Sequence, residues 1–104
     1  MKKIINGKMY NTETAAAIGR YENGYDCTNY HWYSETLYQK QTGEFFLLGK
    51  GGPLSKYQVV VSPDGNSCSG GSRIDSLTTD EAKQWGEAHL NADRYIEIFG
   101  GVNE

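Results

Sequence analysis

Hydrophobic and polar positions divide this chain into short, turn-bounded segments and a longer helical tail. The segments YSETLYQK (residues 33–40) and EFFLLGK (44–50) both read as strands, joined at Thr42-Gly43. With Gly43 in the left-handed position of a three-residue loop, Lys40 falls opposite Glu44, Tyr38 opposite Phe46 and Leu37 opposite Leu47. Phe45–Leu48 then breaks the alternation expected of a half-buried strand, with four apolar residues in a row. Both faces of that strand need cover. The cover is expected from the chain's own helices on one side and, on the other, from an N-terminal helix or the loop of residues 23–32.

Other elements follow from turn and cap chemistry. Asn6-Gly7, between KII and KMY, marks a two-residue hairpin turn, since both positions tolerate positive φ. NTETAAAIG (11–19) reads as a short helix capped by Asn11 or Thr12 and stopped by Gly19. A brief strand follows around Arg20–Glu22. SKYQVVVS (55–62) predicts another strand, ended by a turn at Pro63-Asp64-Gly65, and RIDSL (73–77) the last one. Thr78 and Glu81 form a capping box, with Leu77 and Ala82 placed as a hydrophobic staple. Beyond it Ala82, Trp85, His89, Ala92, Ile96 and Phe99 recur at steps of three and four as one apolar stripe. Asn91 divides the stretch into two helices, the second ending at Gly100-Gly101. The expected fold is α+β: an antiparallel sheet of four to five strands, a C-terminal helix or helix pair on one face, and a short N-terminal helix.

Length and composition add bounds. At 104 residues the chain predicts one domain, burying roughly 65% of its unfolded surface. Tyr (eight), Phe (three) and Trp (two) supply much of its apolar content. The net charge of −3 is uneven: +2 over residues 1–74 and −5 over residues 75–104. An acidic third disfavours direct nucleic-acid binding, which needs Lys and Arg to replace phosphate counterions. MKKIINGKMYN lacks the apolar core of a signal peptide, and no run reaches membrane-spanning length. Two cysteines make no disulfide framework. A cytoplasmic protein is expected.

Catalytic and cofactor motifs fail on spacing. Around GKGG (49–52), five residues separate Gly43 from Gly49, and Gly51 stands where a P-loop needs Ser or Thr. Leu54 occupies the third-glycine position of a dinucleotide fingerprint. SCSGGS (67–72) carries Ser69 where a nucleophile elbow needs glycine. Cys27, His31, Cys68 and His89 have zinc-ligand chemistry, but the second pair is spread over twenty residues. Glu35, Glu44 and Asp75 are scattered carboxylates that no spacing brings together. The expectation is no catalytic residue, no cofactor and no metal.

Two surfaces remain as binding candidates. Tyr25, Tyr30, Trp32 and Tyr33 lie with Tyr21 in an aromatic segment interleaved with Asn and Gly, either folding over the sheet or contacting a partner. Asp80, Glu81, Glu87, Asp93 and Glu97 form an acidic helical set suited to a basic partner surface or to solvent.

The stretches KKIINGKMYNTETA, YSETLYQKQTGEFFLLGKGGPLSKY and LTTDEAKQWGEAHLNADRYIEIFGG, covering well over half of the chain, resemble small accessory proteins of phages and conjugative elements of Gram-positive bacteria. The resemblance carries no catalytic motif, so no residue inherits a role. It implies a protein that binds a host or defence protein in the bacterial cytoplasm, with stoichiometric inhibitors of CRISPR effectors as one example. Self-association as a homodimer is the rival expectation, and a small Cys/His metal or catalytic protein the third.

Overall fold

The computed structural model describes residues 1–100. Its elements are β1 (Lys2–Ile5), β2 (Lys8–Asn11), β3 (Ala16–Glu22), β4 (Tyr33–Gln39), β5 (Phe45–Gly51), β6 (Val59–Val60), β7 (Cys68–Ser69), β8 (Gly71–Leu77), α1 (Thr79–His89) and α2 (Ala92–Phe99). The main sheet is antiparallel in the order β3-β4-β5-β8; β1-β2 and β6-β7 are separate hairpins. The α+β class and the C-terminal helix pair are as expected.

Turn chemistry sets the register. Gly43 has φ +93°, Lys40 N–H donates to the Glu44 carbonyl at 2.8 Å, and Leu37 faces Leu47 while Tyr38 faces Phe46. Asn6 and Gly7, at φ 51° and 77°, turn β1 into β2. At Thr78 the capping box is complete: its hydroxyl accepts from Glu81 N–H at 3.1 Å, and the Glu81 carboxylate accepts from Thr78 N–H at 2.9 Å. Asn91 caps α2 by accepting from Arg94 N–H at 2.8 Å.

Phe45–Leu48 is buried on both faces. Phe45 and Leu47 join Ile18, Leu37 and Ala82 beneath the helices, where Leu77, Trp85, Leu90, Ile98 and Phe99 close the cluster. Phe46 and Leu48 join Tyr10 and Ile74 on the other side, where Ile5, Ala15 and Tyr38 pack. The chain supplies both covers.

The N-terminal cover corrects the expected helix over 11–19: Asn11 ends β2, residues 12–15 form a turn, and β3 begins at Ala16. Asn11 starts the turn by accepting from Glu13 N–H on its side chain and from Thr14 and Ala15 N–H on its carbonyl. Ala16 then pairs with Gln39 and Ala17 with Tyr38, while Ile18 is buried under the helices. Sheet pairing overrides the helix propensity of three alanines, because a free strand edge offers more than one isolated helical turn. The β1-β2 hairpin, through Tyr10 and Ile5, covers the second face instead.

Two further corrections concern length and phase. Within SKYQVVVS only Val59 and Val60 pair, with Ser69 and Cys68, because Ser55 and Tyr57 are drawn into a tight turn over the sheet. The helical stripe is not continuous either. The break at Asn91 resets the phase, so Ile98 and Phe99 face the core, whereas Ala92 and Ile96 line an outer groove with Gly86, Glu87 and Tyr95; Leu90 packs on the core and borders that groove. Gly100 caps α2, while Gly101 lies outside the described residues.

Candidate functional site

Strand direction gathers two long segments at one end of the sheet. β3 ends and β4 begins there, so residues 23–32 leave from it; β5 ends and β8 begins there, so residues 52–70 do too. Segment 23–32 is held by its own polar side chains. Asp26 accepts from Thr28 N–H at 2.9 Å and from the Thr28 hydroxyl at 2.8 Å, which hold its carboxyl below the usual range. Asn29 accepts from His31 N–H at 2.8 Å, and the Asn23 side chain bridges the His31 carbonyl and Tyr33 N–H. Leu54 N–H donates to the Tyr30 carbonyl and Gly52 N–H to the Trp32 carbonyl, joining the two segments. Gly52 is required at that seam, since a Cβ there would sit 2.6 Å from the Tyr30 carbonyl oxygen.

The aromatic segment divides in two. Tyr33 packs inward against Tyr21 and Tyr57, and Trp32 is half-buried with its indole N–H unpaired among the described residues. Tyr25 and Tyr30 remain outside, 50% and 65% exposed. Leu54 and the consecutive Val59, Val60 and Val61 are exposed on the neighbouring segment. Sequence reading missed these valines as a surface, because three β-branched residues in a row signal a buried strand.

Beneath this end lies a polar knot centred on Glu35, which is only 3% exposed. Trp85 Nε1–H donates to Glu35 Oε1 at 3.2 Å; Lys56 Nζ reaches Oε2 at 2.6 Å, and the Tyr57 hydroxyl donates to the same oxygen. Burial pushes the Glu35 carboxyl up, but hydrogen bonds from Lys56, Tyr57 and Trp85 together outweigh it and leave the carboxyl below its ordinary range. Tyr57 is pushed well above the usual phenol range by burial and by its bond to Glu35. Lys56 and Arg73 lie over the Tyr57 ring at 5.5 and 5.0 Å. Both Glu35 oxygens are occupied, so the knot ties sheet, loop and helix together rather than presenting a free base.

His89 stacks between Tyr21 and Trp85, at centroid distances of 3.9 and 4.9 Å, and burial pushes its pKa down. His31 lies over Tyr25 instead, and Cys27 is exposed. Among the described residues no three His, Cys, Asp or Glu side chains gather in a metal-binding arrangement. No helix among them is long and apolar enough to cross a membrane.

The five acidic residues of the helices, Asp80, Glu81, Glu87, Asp93 and Glu97, are all exposed but not equivalent. Glu81 is engaged in its capping box, and Glu97 pairs with Arg94 at 2.9 Å. Glu87 borders the groove between the helices. Asp80 and Asp93 sit in first helical turns. Asp80 follows the end of β8 and Tyr30 precedes the start of β4, so a seven-residue strand length, roughly 20 Å, separates Asp80 from Tyr30 along the sheet.

Compared with models of known families, with curated proteins and with solved structures, the chain matches none of them.

Proposed function

We propose that this protein acts without catalysis, by binding another protein through the loop end of its sheet. One observation carries the reading: Tyr25, Tyr30, Leu54, Val59, Val60 and Val61 are all exposed, and all belong to the two segments that leave this end. Apolar side chains left exposed on two segments that leave one end suit docking, and Tyr is a frequent anchor of interfaces. The Asp26, Asn29 and Asn23 bonds order the tyrosine segment in advance, which lowers the entropic cost of binding. Asp80, Glu87 and Asp93, exposed at separate places on the two helices, add acidic positions that would meet basic surface on the same partner.

The partner class follows from the resemblance: a host or defence protein in the bacterial cytoplasm, such as a CRISPR effector, bound stoichiometrically and inhibited. The test is a tagged pull-down from a bacterial lysate containing CRISPR effectors, read by mass spectrometry and repeated with Tyr30→Ala and Val60→Ser. A stoichiometric partner lost in both variants supports the proposal. A partner kept by both places binding elsewhere.

A second reading, self-association, is favoured by one feature. β6 pairs only with β7 among the described residues, so its other edge is open to a strand from a second copy. Light scattering separates the two: a mass that doubles with concentration, and reverts in Val60→Pro, supports the dimer.

A further inference from the structure

The β1-β2 hairpin covers only part of the second face of the sheet. Next to it lies a concave site of about 140 Å³ lined by Arg20, Ser34, Thr36, Tyr38, Leu48 and Lys50. From its geometry we infer that this cup binds a single phosphate-type oxyanion.

Register explains the gathering. Arg20 faces Thr36 across β3-β4, and Ser34 faces Lys50 across β4-β5. Two cations on flanking strands therefore bracket two hydroxyls on the strand between them. Ser34 is only 4% exposed and yet lines the cup. Its hydroxyl and that of Thr36 enter no hydrogen bond with the other described residues, which leaves both free to donate to a ligand. Tyr38, stacked flat on Phe46 at 5.1 Å, and buried Leu48 form an apolar wall that strengthens polar contacts beside it.

The chemistry selects the ligand class. A guanidinium fork and an ammonium are donors without acceptors, and the Ser34 and Thr36 hydroxyls, which can donate or accept, turn their protons to the same oxyanion. The cup is smaller than the roughly 300–1,000 Å³ of pockets for drug-sized ligands, so it holds one phosphoryl-sized group and not a whole nucleotide. Glu22 is the competing group: it faces Ser34 in register and bonds Arg20 at 2.7 Å. Both partners of that pair are about half exposed, and such a pair yields readily to a stronger anion. With Arg20, Lys50 and Glu22 charged, the site keeps a net positive charge.

The phosphoryl group has two possible sources, the free ion or a monoester, and the test separates them. Backbone amide NMR of the whole chain is followed while inorganic phosphate, and in a parallel arm O-phosphoserine, is added. Saturable shifts at Ser34, Thr36 and Lys50 are expected in at least one arm. Tighter binding of O-phosphoserine assigns the site to monoesters, and equal or weaker binding assigns it to the free ion. Arg20→Gln and Lys50→Gln should each weaken binding about tenfold, the value of one charge-assisted hydrogen bond. Glu22→Gln should tighten it. Thr36→Val, which keeps strand propensity and volume, should weaken it with the sheet intact. Shifts that never saturate in either arm, or that persist unchanged in Arg20→Gln and Lys50→Gln, overturn the inference.

Discussion

The two faces of the sheet bury the same strand by different means. Under the helices, Phe45 and Leu47 meet a broad cluster that continues into the Glu35 knot, so apolar packing and a saturated polar network share one face. Under the hairpin, Phe46 and Leu48 meet a narrow cluster, and the sheet beyond it stays polar and concave. Two paired four-residue strands, about 5 Å apart, make a narrower cover than two helices of eleven and eight residues packed about 8–10 Å apart. Cover is thus broad on one side, stopping short at Arg73 and Asp75 on β8, and narrower on the other, where the uncovered part gives a small ligand access.

The sharpest way to break the comparison is to open a cavity on each face. Phe46 and Leu37 are both fully buried, one under the hairpin and one under the helices. Phe46→Ala should cost about 3–5 kcal/mol and Leu37→Ala about 2–5 kcal/mol in urea unfolding. The losses should differ in kind. Phe46 carries the Tyr10 and Tyr38 rings against it, so its removal should also release the hairpin amides to rapid hydrogen exchange. In Leu37→Ala those amides should stay as protected as the sheet.

The Glu35 knot exists on the helical face alone, and Glu35→Ala tests whether it matters. Removal leaves the Trp85 and Tyr57 donors unpaired, at an expected cost of about 2–4 kcal/mol. Lys56 is half exposed and recovers its hydration, so the loss stays below that of a wholly buried ion pair. The pH dependence has a definite sign. The folded carboxyl titrates below the ordinary range, so its contribution is present at neutral pH and is lost as pH falls through the folded value. His89 adds in the same direction: lowered from about 6.5, it takes up its proton less readily folded than unfolded, so stability starts to fall below that pH. Melting temperature from pH 7 to 3 should therefore decline less steeply in Glu35→Ala than in the parent.

Gly49 is where the Tyr57 ring of the knot rests on β5. A Cβ at that position would lie 1.9 Å from the Tyr57 ring, so Gly49→Ala must displace the ring and weaken its bond to Glu35. A loss of about 1–3 kcal/mol is expected. It should be accompanied by a change in near-ultraviolet circular dichroism from Tyr57 and its neighbour Tyr33. An unchanged aromatic spectrum would mean that the ring does not rest on Gly49.

Legibility in the sequence followed the range of the interaction. The Lys40–Glu44 loop, the Asn6-Gly7 turn and the Thr78–Glu81 box are fixed by residues within a few positions of each other, and each was readable. The strand start at Ala16 and Ala17 was not, because it depends on pairing with Gln39 and Tyr38 more than twenty residues away. Glu35 left a partial signal: it shares parity with Leu37 and so points toward the helices. Its partners, Lys56, Tyr57 and Trp85, lie twenty to fifty residues away, and nothing local announces them. Of the aromatic segment, spacing indicated a cluster but not that Tyr33 would fold in while Tyr25 and Tyr30 stayed out. That division depends on how Asn23 and Asp26 fold the loop.

The smallest expected effects sharpen the comparison by touching one locally coded signal on each side. Thr78→Ala removes the α1 cap and should cost about 1 kcal/mol. Gly7→Ala, at φ +77° with nothing within 4 Å, meets no clash and should cost about 1 kcal/mol through backbone strain alone. Similar energies should give dissimilar exchange patterns. α1 presses Ala82 and Trp85 into the main core, so loss of its cap should lower protection across the sheet by a common factor. The β1-β2 hairpin meets the sheet chiefly through Tyr10 and Ile5, so Gly7→Ala should accelerate exchange at Lys3, Ile5 and Tyr10 while leaving β4 unchanged. If Gly7→Ala instead lowers protection in β4 as much as in β2, the hairpin belongs to the same cooperative unit as the helices. The two covers would then differ in reach but not in how they open.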